Sequence, residues 1–154
     1  MLCSGYFTGA EDYWTHFSGV GYDIHAGNEI DWGPCCRGPA ALCPDAHYST
    51  HLFTNMAEQY IVEHAETHGT GGGGVAPLFL YLAYQAMHSP TQAPEGYWAR
   101  FNETIPDKQR RTVAGMVTGA HNRHRNTLNA MSPLPAALGN DLLASAFLGF
   151  SLAG

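Results

Sequence analysis

Charge is scarce in this chain, and basic charge most of all. Charged residues make up 13% of the 154 residues, about half the usual share of a quarter. Lys and Arg number 7 against 13 Asp and Glu, a formal net charge of −6 with histidine neutral. Arg110-Arg111 and Arg123-x-Arg125 are too few and too local to form a basic stripe, so no nucleic-acid partner is expected. Long apolar runs are lacking as well. The longest, Leu78 to Tyr84, has strand length and falls far short of the roughly 20 residues that span a bilayer, so no transmembrane segment is expected. The first residues, MLCSGYF, have neither a basic region nor an apolar core, so no signal peptide is expected in this chain. The glycine run GTGGGG (Gly69 to Gly74) is followed by no Gly-Lys-Ser/Thr and preceded by no strand, so it reads as a linker rather than a phosphate loop.

What is present fits one domain, long enough to bury roughly 70% of its unfolded surface. Residues 1–46 form an irregular stretch rich in Gly, Pro and Cys, with short extended pieces such as Gly21 to Ile24. Residues 47–131 read as helix, strand and helix, and 132–154 as a divergent tail whose apolar part, Asp141 to Phe150, could form a strand. The first helix starts at Ser49 or Thr50, either of which can cap it. Leu52, Phe53, Met56, Ala57, Tyr60 and Ile61 share one face at helical spacing, and the helix ends before Gly69. Leu78 to Tyr84 is almost continuously apolar, the pattern of a strand covered on both faces. Pro90 and Pro94 fix the loop behind it. A short helix follows from Pro94 to Phe101, with proline in its first turn. Asp107 caps a longer helix that carries Val113, Met116, Val117 and Ala120 and extends to Met131.

Several groups could carry chemistry. His88 stands at the end of the apolar strand, where ligands bind in open α/β sheets, and histidine suits proton transfer near neutral pH. His47 and His51, and again His64 and His68, sit four apart, which places each pair on one helix face and could hold a metal. A solvated face is the expected account of both, and HAETH is not the H-E-x-x-H motif. Glu11-Asp12 is a carboxylate pair beside Tyr13 and Trp14. Asn102-Glu103-Thr104 is an acceptor triplet for N-glycosylation. Four cysteines are present. Cys35, Cys36 and Cys43 cluster; they read as free thiols in a reducing compartment or as disulfide candidates in an oxidising one. Their spacing does not match a zinc ribbon.

Four segments in order carry a family resemblance: GYFTGAEDYWTH (Gly5 to His16), HYSTHLFTNMAEQYI (His47 to Ile61), FLYLAYQAMHSP (Phe79 to Pro90) and DKQRRTVAGMV (Asp107 to Val117). Together they resemble the sulfatase family, and its arylsulfatase B-like group in particular. The likeness covers about three quarters of the chain and fades after Val117, where GAHNRHR departs from the family helix. The resemblance implies an internal fragment of an α/β, alkaline-phosphatase-like catalytic domain, with a central sheet covered by helices. It implies hydrolysis of a sulfuric ester, an aryl sulfate or a sulfated glycosaminoglycan, by a formylglycine and calcium mechanism. It implies that His88 faces the substrate sulfate as the catalytic and substrate-binding residue, and that Cys43 pairs with Cys35 or Cys36. Glu11-Asp12 falls in a structural loop outside the metal shell. A lysosomal or secreted parent follows, in agreement with a glycosylated Asn102.

The chain departs from the family pattern at decisive places. No Cys-x-Pro-Ser-Arg or Ser-x-Pro-Ser-Arg motif is present to give formylglycine. The early Asp-Asp pair and the later Asp-Asn-Gly-Gly of the metal site are absent, so no metal ligand is assigned here. The chain by itself is therefore expected to be inactive. Two other classes remain open: a non-catalytic sulfatase-derived protein that binds a sulfated sugar, and a histidine-rich metal-binding domain.

Overall fold

The computed structural model describes residues 4–19, 21–30, 48–68 and 76–131. Cys3, Cys35, Cys36, Cys43, His47, the glycine run and the tail expected to form a strand all lie outside them. The N-terminal part holds five short strands: β1 Ser4–Gly5, β2 Phe17–Ser18, β3 Gly21–Tyr22, β4 His25–Ala26 and β5 Glu29–Ile30. One sheet has the order β1-β4-β5 and the other pairs β2 with β3, all antiparallel. The β4–β5 hairpin sets Ala26 opposite Glu29. Its first loop residue, Gly27, has φ of +62°, a conformation open to glycine without steric cost.

Three α-helices follow among the described residues: α1 Ser49–His68, α2 Glu95–Trp98, extended by a 3-10 turn at Ala99–Phe101, and α3 Lys108–Met131. The starts fall where they are expected, but only Asp107 caps with its side chain: the Ser49 hydroxyl donates to Gln85 instead, and Pro94 makes no side-chain cap bond. Ser49 opens α1, Pro94 precedes α2, and the Asp107 carboxylate accepts the Arg110 backbone N–H at 2.7 Å, which satisfies one of the free amides at the helix start. The mixture of helices with small sheets is compatible with an α/β fold.

The core gathers Tyr13, Ile24, Tyr48, Phe53, Tyr84, Ala86, Met116 and Ala120. Helix α1 turns Phe53, Ala57 and Ile61 into it, but the buried stripe also includes Thr50, His51 and Thr54. Thr54 meets its hydrogen-bonding need through the Thr50 carbonyl at 2.7 Å and the Tyr84 hydroxyl at 2.9 Å. On α3, Val117 is exposed, and the inner face is Gly115, Met116, Gly119 and Ala120 instead. The two glycines let α2 approach closely. A Cβ at Gly115 would lie 2.8 Å from the Trp98 Cβ, and one at Gly119 would lie 3.1 Å from the Tyr97 ring.

The segment Leu78 to Tyr84 differs from expectation. It forms no continuous strand, and Tyr81 alone within it makes a bridge. Leu78, Leu80 and Leu82 are half-buried, while Phe79 and Tyr81 are 77% and 58% exposed. The segment is thus covered on one face, because the described residues supply no second layer and no continuous neighbouring strand.

Candidate functional site around His88

The apolar segment ends at Tyr84, and the chain passes through two buried residues, Gln85 and Ala86, before it emerges at Met87 and His88. The turn closes with the His88 N–H donating to the Gln85 carbonyl at 2.8 Å. Ala86–Met87 and Ser89–Pro90 are cis peptide bonds. His88 is half-buried, and its Nδ1 lies 2.9 Å from the Ser89 carbonyl oxygen. A carbonyl only accepts, so Nδ1 carries the proton. Nε2 is then an acceptor in the neutral ring and a second donor in the imidazolium, with no protein partner among the described residues.

The loop is held from outside by residues far away in sequence. Gln85 is buried; its amide nitrogen donates to the Glu11 carbonyl, and its amide oxygen accepts from the Ser49 hydroxyl at 2.6 Å. The Tyr13 hydroxyl donates to the His88 carbonyl at 2.9 Å. The Gln92 side chain donates to the Asp12 carboxylate at 2.6 Å and accepts from the Tyr13 N–H at 2.8 Å. The Tyr48 hydroxyl donates to the Gln92 carbonyl at 3.0 Å. Tyr13 and Tyr48 are fully buried and stacked, with centroids 5.5 Å apart. Burial pushes both hydroxyls up, Tyr48 to about 12 and Tyr13 further still, so both stay protonated and act as donors.

Glu11-Asp12 shapes this loop's neighbour. Burial raises the Asp12 carboxyl, but bonds from Gln92, Thr15 and Trp14 outweigh it and hold the group below its ordinary value. Asp12 also accepts the Trp14 and Thr15 amides at 3.0 and 2.8 Å, the bonds of a tight turn. Glu11 is completely buried, 2.7 Å from the Nδ1 of His16. Burial keeps its carboxyl raised against the opposing contribution of His16. His16 has φ of +59°, a conformation rare outside glycine, in a turn tied by its N–H to the Asp12 carbonyl at 2.9 Å.

The other histidines divide. His51, expected in solvent, is 5% exposed, with its Nε2 2.8 Å from the Tyr97 hydroxyl. His64 and His68 stack at 4.5 Å near the end of α1, and the His64 Nε2 meets the Ala76 carbonyl at 2.8 Å. Among the described residues no three His, Cys, Asp or Glu side chains come together to hold a metal ion. No helix among them is long and apolar enough to cross a membrane. Asn102 is exposed in the turn between the 3-10 segment and α3. Reading the sequence singled out His88 but missed Gln92, Tyr13 and Tyr48. Nothing in a loop glutamine or a core tyrosine signals a bond across a sequence separation of 75 or 80 residues.

No family model matches the chain, and no solved structure matches it. Among curated proteins, the chain is similar to Arylsulfatase J of Mus musculus, 34% identical over 115 residues. That alignment covers 71% of this chain but 16% of the relative's length. The likeness supports a place for the matched stretch in the sulfatase family.

Proposed function

We propose that the chain is part of a sulfatase catalytic domain, arylsulfatase B-like in type, and that His88 faces the sulfate group of the substrate. The observation that carries this reading is the 34% identity to Arylsulfatase J over 115 residues. The half-buried His88 ring, with Nδ1 engaged and Nε2 without a protein partner among the described residues, adds a chemical reason. As an imidazolium it donates from Nε2 to a sulfate oxygen, which stabilises charge and leaves a proton at hand for the departing alcohol. The parent reaction is hydrolysis of an aryl sulfate or a sulfated sugar, in a lysosomal or secreted protein. The parent would draw on calcium and a formylglycine nucleophile. The described residues gather no ligand set for calcium, and the chain has no motif for the nucleophile. Both groups are assigned to the remainder of the parent domain, and no step is routed through them here. The chain alone contributes His88 and scaffold and turns over no substrate.

Inorganic sulfate tests the assignment directly. With the histidine ring resonances assigned by single His→Gln variants, sulfate titrated into the protein in acidic buffer should shift the His88 resonance saturably. The eight other histidines should respond only as they do to chloride. A uniform response of all nine, or none, would refute the role of His88. Sequencing the encoding transcript in both directions tests the wider reading, which requires a Cys-x-Pro-Ser-Arg or Ser-x-Pro-Ser-Arg codon run upstream.

A further inference from the structure

We propose that Asp12, Tyr13 and Gln92 are positioning residues that together set where His88 stands. This deepens the role of His88 and rests on it for its functional meaning. Among the described residues, the one side-chain bond His88 makes is to the carbonyl of its neighbour Ser89, at 2.9 Å. Such a bond fixes the ring relative to its own loop but leaves the loop free to move. The loop's place is set from the other end of the chain. Gln92 grips two consecutive residues at once, the Asp12 carboxylate at 2.6 Å and the Tyr13 amide at 2.8 Å. A two-point grip of this kind fixes orientation as well as distance. The Tyr13 hydroxyl then reaches the backbone carbonyl of His88 itself at 2.9 Å.

The anchors are rigid. Tyr13 is fully buried and stacked on Tyr48, and the Tyr48 hydroxyl holds the Gln92 carbonyl at 3.0 Å. Asp12 is fixed in turn by the Trp14 and Thr15 amides and the Thr15 hydroxyl, all within 3.0 Å. Precise placement of a reacting group depends on a supporting shell whose own rotamers are locked by packing and hydrogen bonds. Here the shell is built from a segment more than seventy residues upstream of the loop it holds. The carbonyl that Tyr13 seizes belongs to His88 and not to another loop residue, which ties the anchor to the histidine's position.

The test uses the whole chain with Tyr13→Phe and Gln92→Met, and Thr54→Val as a control that removes a buried hydroxyl bonded to Tyr84 and not to any member of the clamp. Tyr13→Phe keeps the ring stack and loses the bond to His88. Amide hydrogen exchange at residues 85–92 should speed up about fivefold or more in both clamp variants, and the His88 ring resonance should move. Thr54→Val should leave both signals in place at an equal loss of thermal stability. Loop exchange and a His88 resonance unchanged in Tyr13→Phe and Gln92→Met would overturn the proposal. So would the same changes in Thr54→Val, which would mark a global effect. If both clamp variants unfold, the unsubstituted protein decides: the Tyr13 amide must be protected as strongly as the His88 amide, and rapid exchange at Tyr13 would overturn the clamp. Inorganic sulfate separates the two readings. A clamp that passes these tests in a chain whose His88 ignores sulfate stands, while the sulfate role fails.

Discussion

Alanine at Gly115 and at Gly119 should have different consequences, although both lie on the same face of α3 one turn apart. In a helix interior, Gly→Ala favours folding by about 0.8–1 kcal/mol, through the lower backbone entropy of the unfolded alanine chain. At Gly115 the new Cβ would lie 2.8 Å from the Trp98 Cβ, 3.1 Å from its backbone nitrogen and 3.2 Å from its Cα. Carbon atoms prefer about 3.5 Å or more, so α2 would have to move by several tenths of an ångström as a unit. Overpacking of this kind costs about 1–3 kcal/mol. Because backbone atoms of α2 must yield, the upper half of that range applies, and Gly115→Ala should lose about 1–2 kcal/mol net. At Gly119 the neighbours are ring carbons of Tyr97 at 3.1 Å. A ring can tilt, although the bond from its hydroxyl to His51 at 2.8 Å limits the movement. The cost there should nearly cancel the gain, leaving Gly119→Ala within about 0.5 kcal/mol of the parent. Urea denaturation followed by circular dichroism gives both values, with the slope as a check on two-state behaviour. A Gly115→Ala variant as stable as the parent, or more so, would show that α2 does not seat on α3 as described.

Four further outcomes follow from named groups. Burial raises the hydroxyls of Tyr6, Tyr13 and Tyr48, the last to about 12. Their folded values exceed the unfolded one, so their contribution is intact below the ordinary tyrosine pKa near 10 and is lost as pH rises from there toward 12; a denaturation midpoint that holds level across that range would contradict it. Asn102 is exposed in its turn, so expression through a secretory pathway should add a glycan that an amidase releases and Asn102→Gln abolishes; an unglycosylated secreted product would end that assignment. Phe79 and Tyr81 are 77% and 58% exposed, and changing both to serine should lower the binding of an apolar dye and any self-association in sedimentation; unchanged dye binding would place the sticky surface elsewhere. Purified chain with calcium should show no turnover of a chromogenic aryl sulfate, and activity that tracks the protein through purification would refute the missing-nucleophile argument.

Local signals were legible where one residue decides a local outcome. Pro94 and Asp107 mark helix starts because a fixed φ or a cap acts within one turn; the first helix also begins at Ser49, but its hydroxyl serves Gln85 and not the helix end. The inner face of α3 was only half legible. Val117 has the right chemistry for a core position, but close approach of α2 favours Gly115 and Gly119, and a glycine in a helix reads as a weakness until its neighbour is known. His51 was misread for a similar reason. A histidine on a helix reads as solvated unless a partner is in view, and its partner, Tyr97, lies 46 residues away. The clamp on the His88 loop was not legible at all. Its bonds span 75 to 80 residues, and no local pattern marks a glutamine that will satisfy two groups on the far side of the core.

The apolar run at Leu78 to Tyr84 shows why periodicity alone could not settle the sheet. An unbroken apolar strand is what burial on both faces demands, yet the described residues bury only one side. Leu78, Leu80 and Leu82 are half-buried, Leu82 against the core, while Phe79 and Tyr81 are exposed. Sequence selected only for this one-sided arrangement would favour polar residues at positions 79 and 81, since a half-buried strand alternates. Aromatic residues at 79 and 81 suit a second covering layer, and within the segment Tyr81 alone makes a bridge. The described residues supply neither that layer nor a continuous neighbouring strand. The same reasoning makes the clamp informative. Among the described residues no continuous strand flanks the segment that leads to His88, so the long-range bonds from Asp12, Tyr13 and Tyr48 hold the loop in place, and loosening them should show in His88 before it shows in the core.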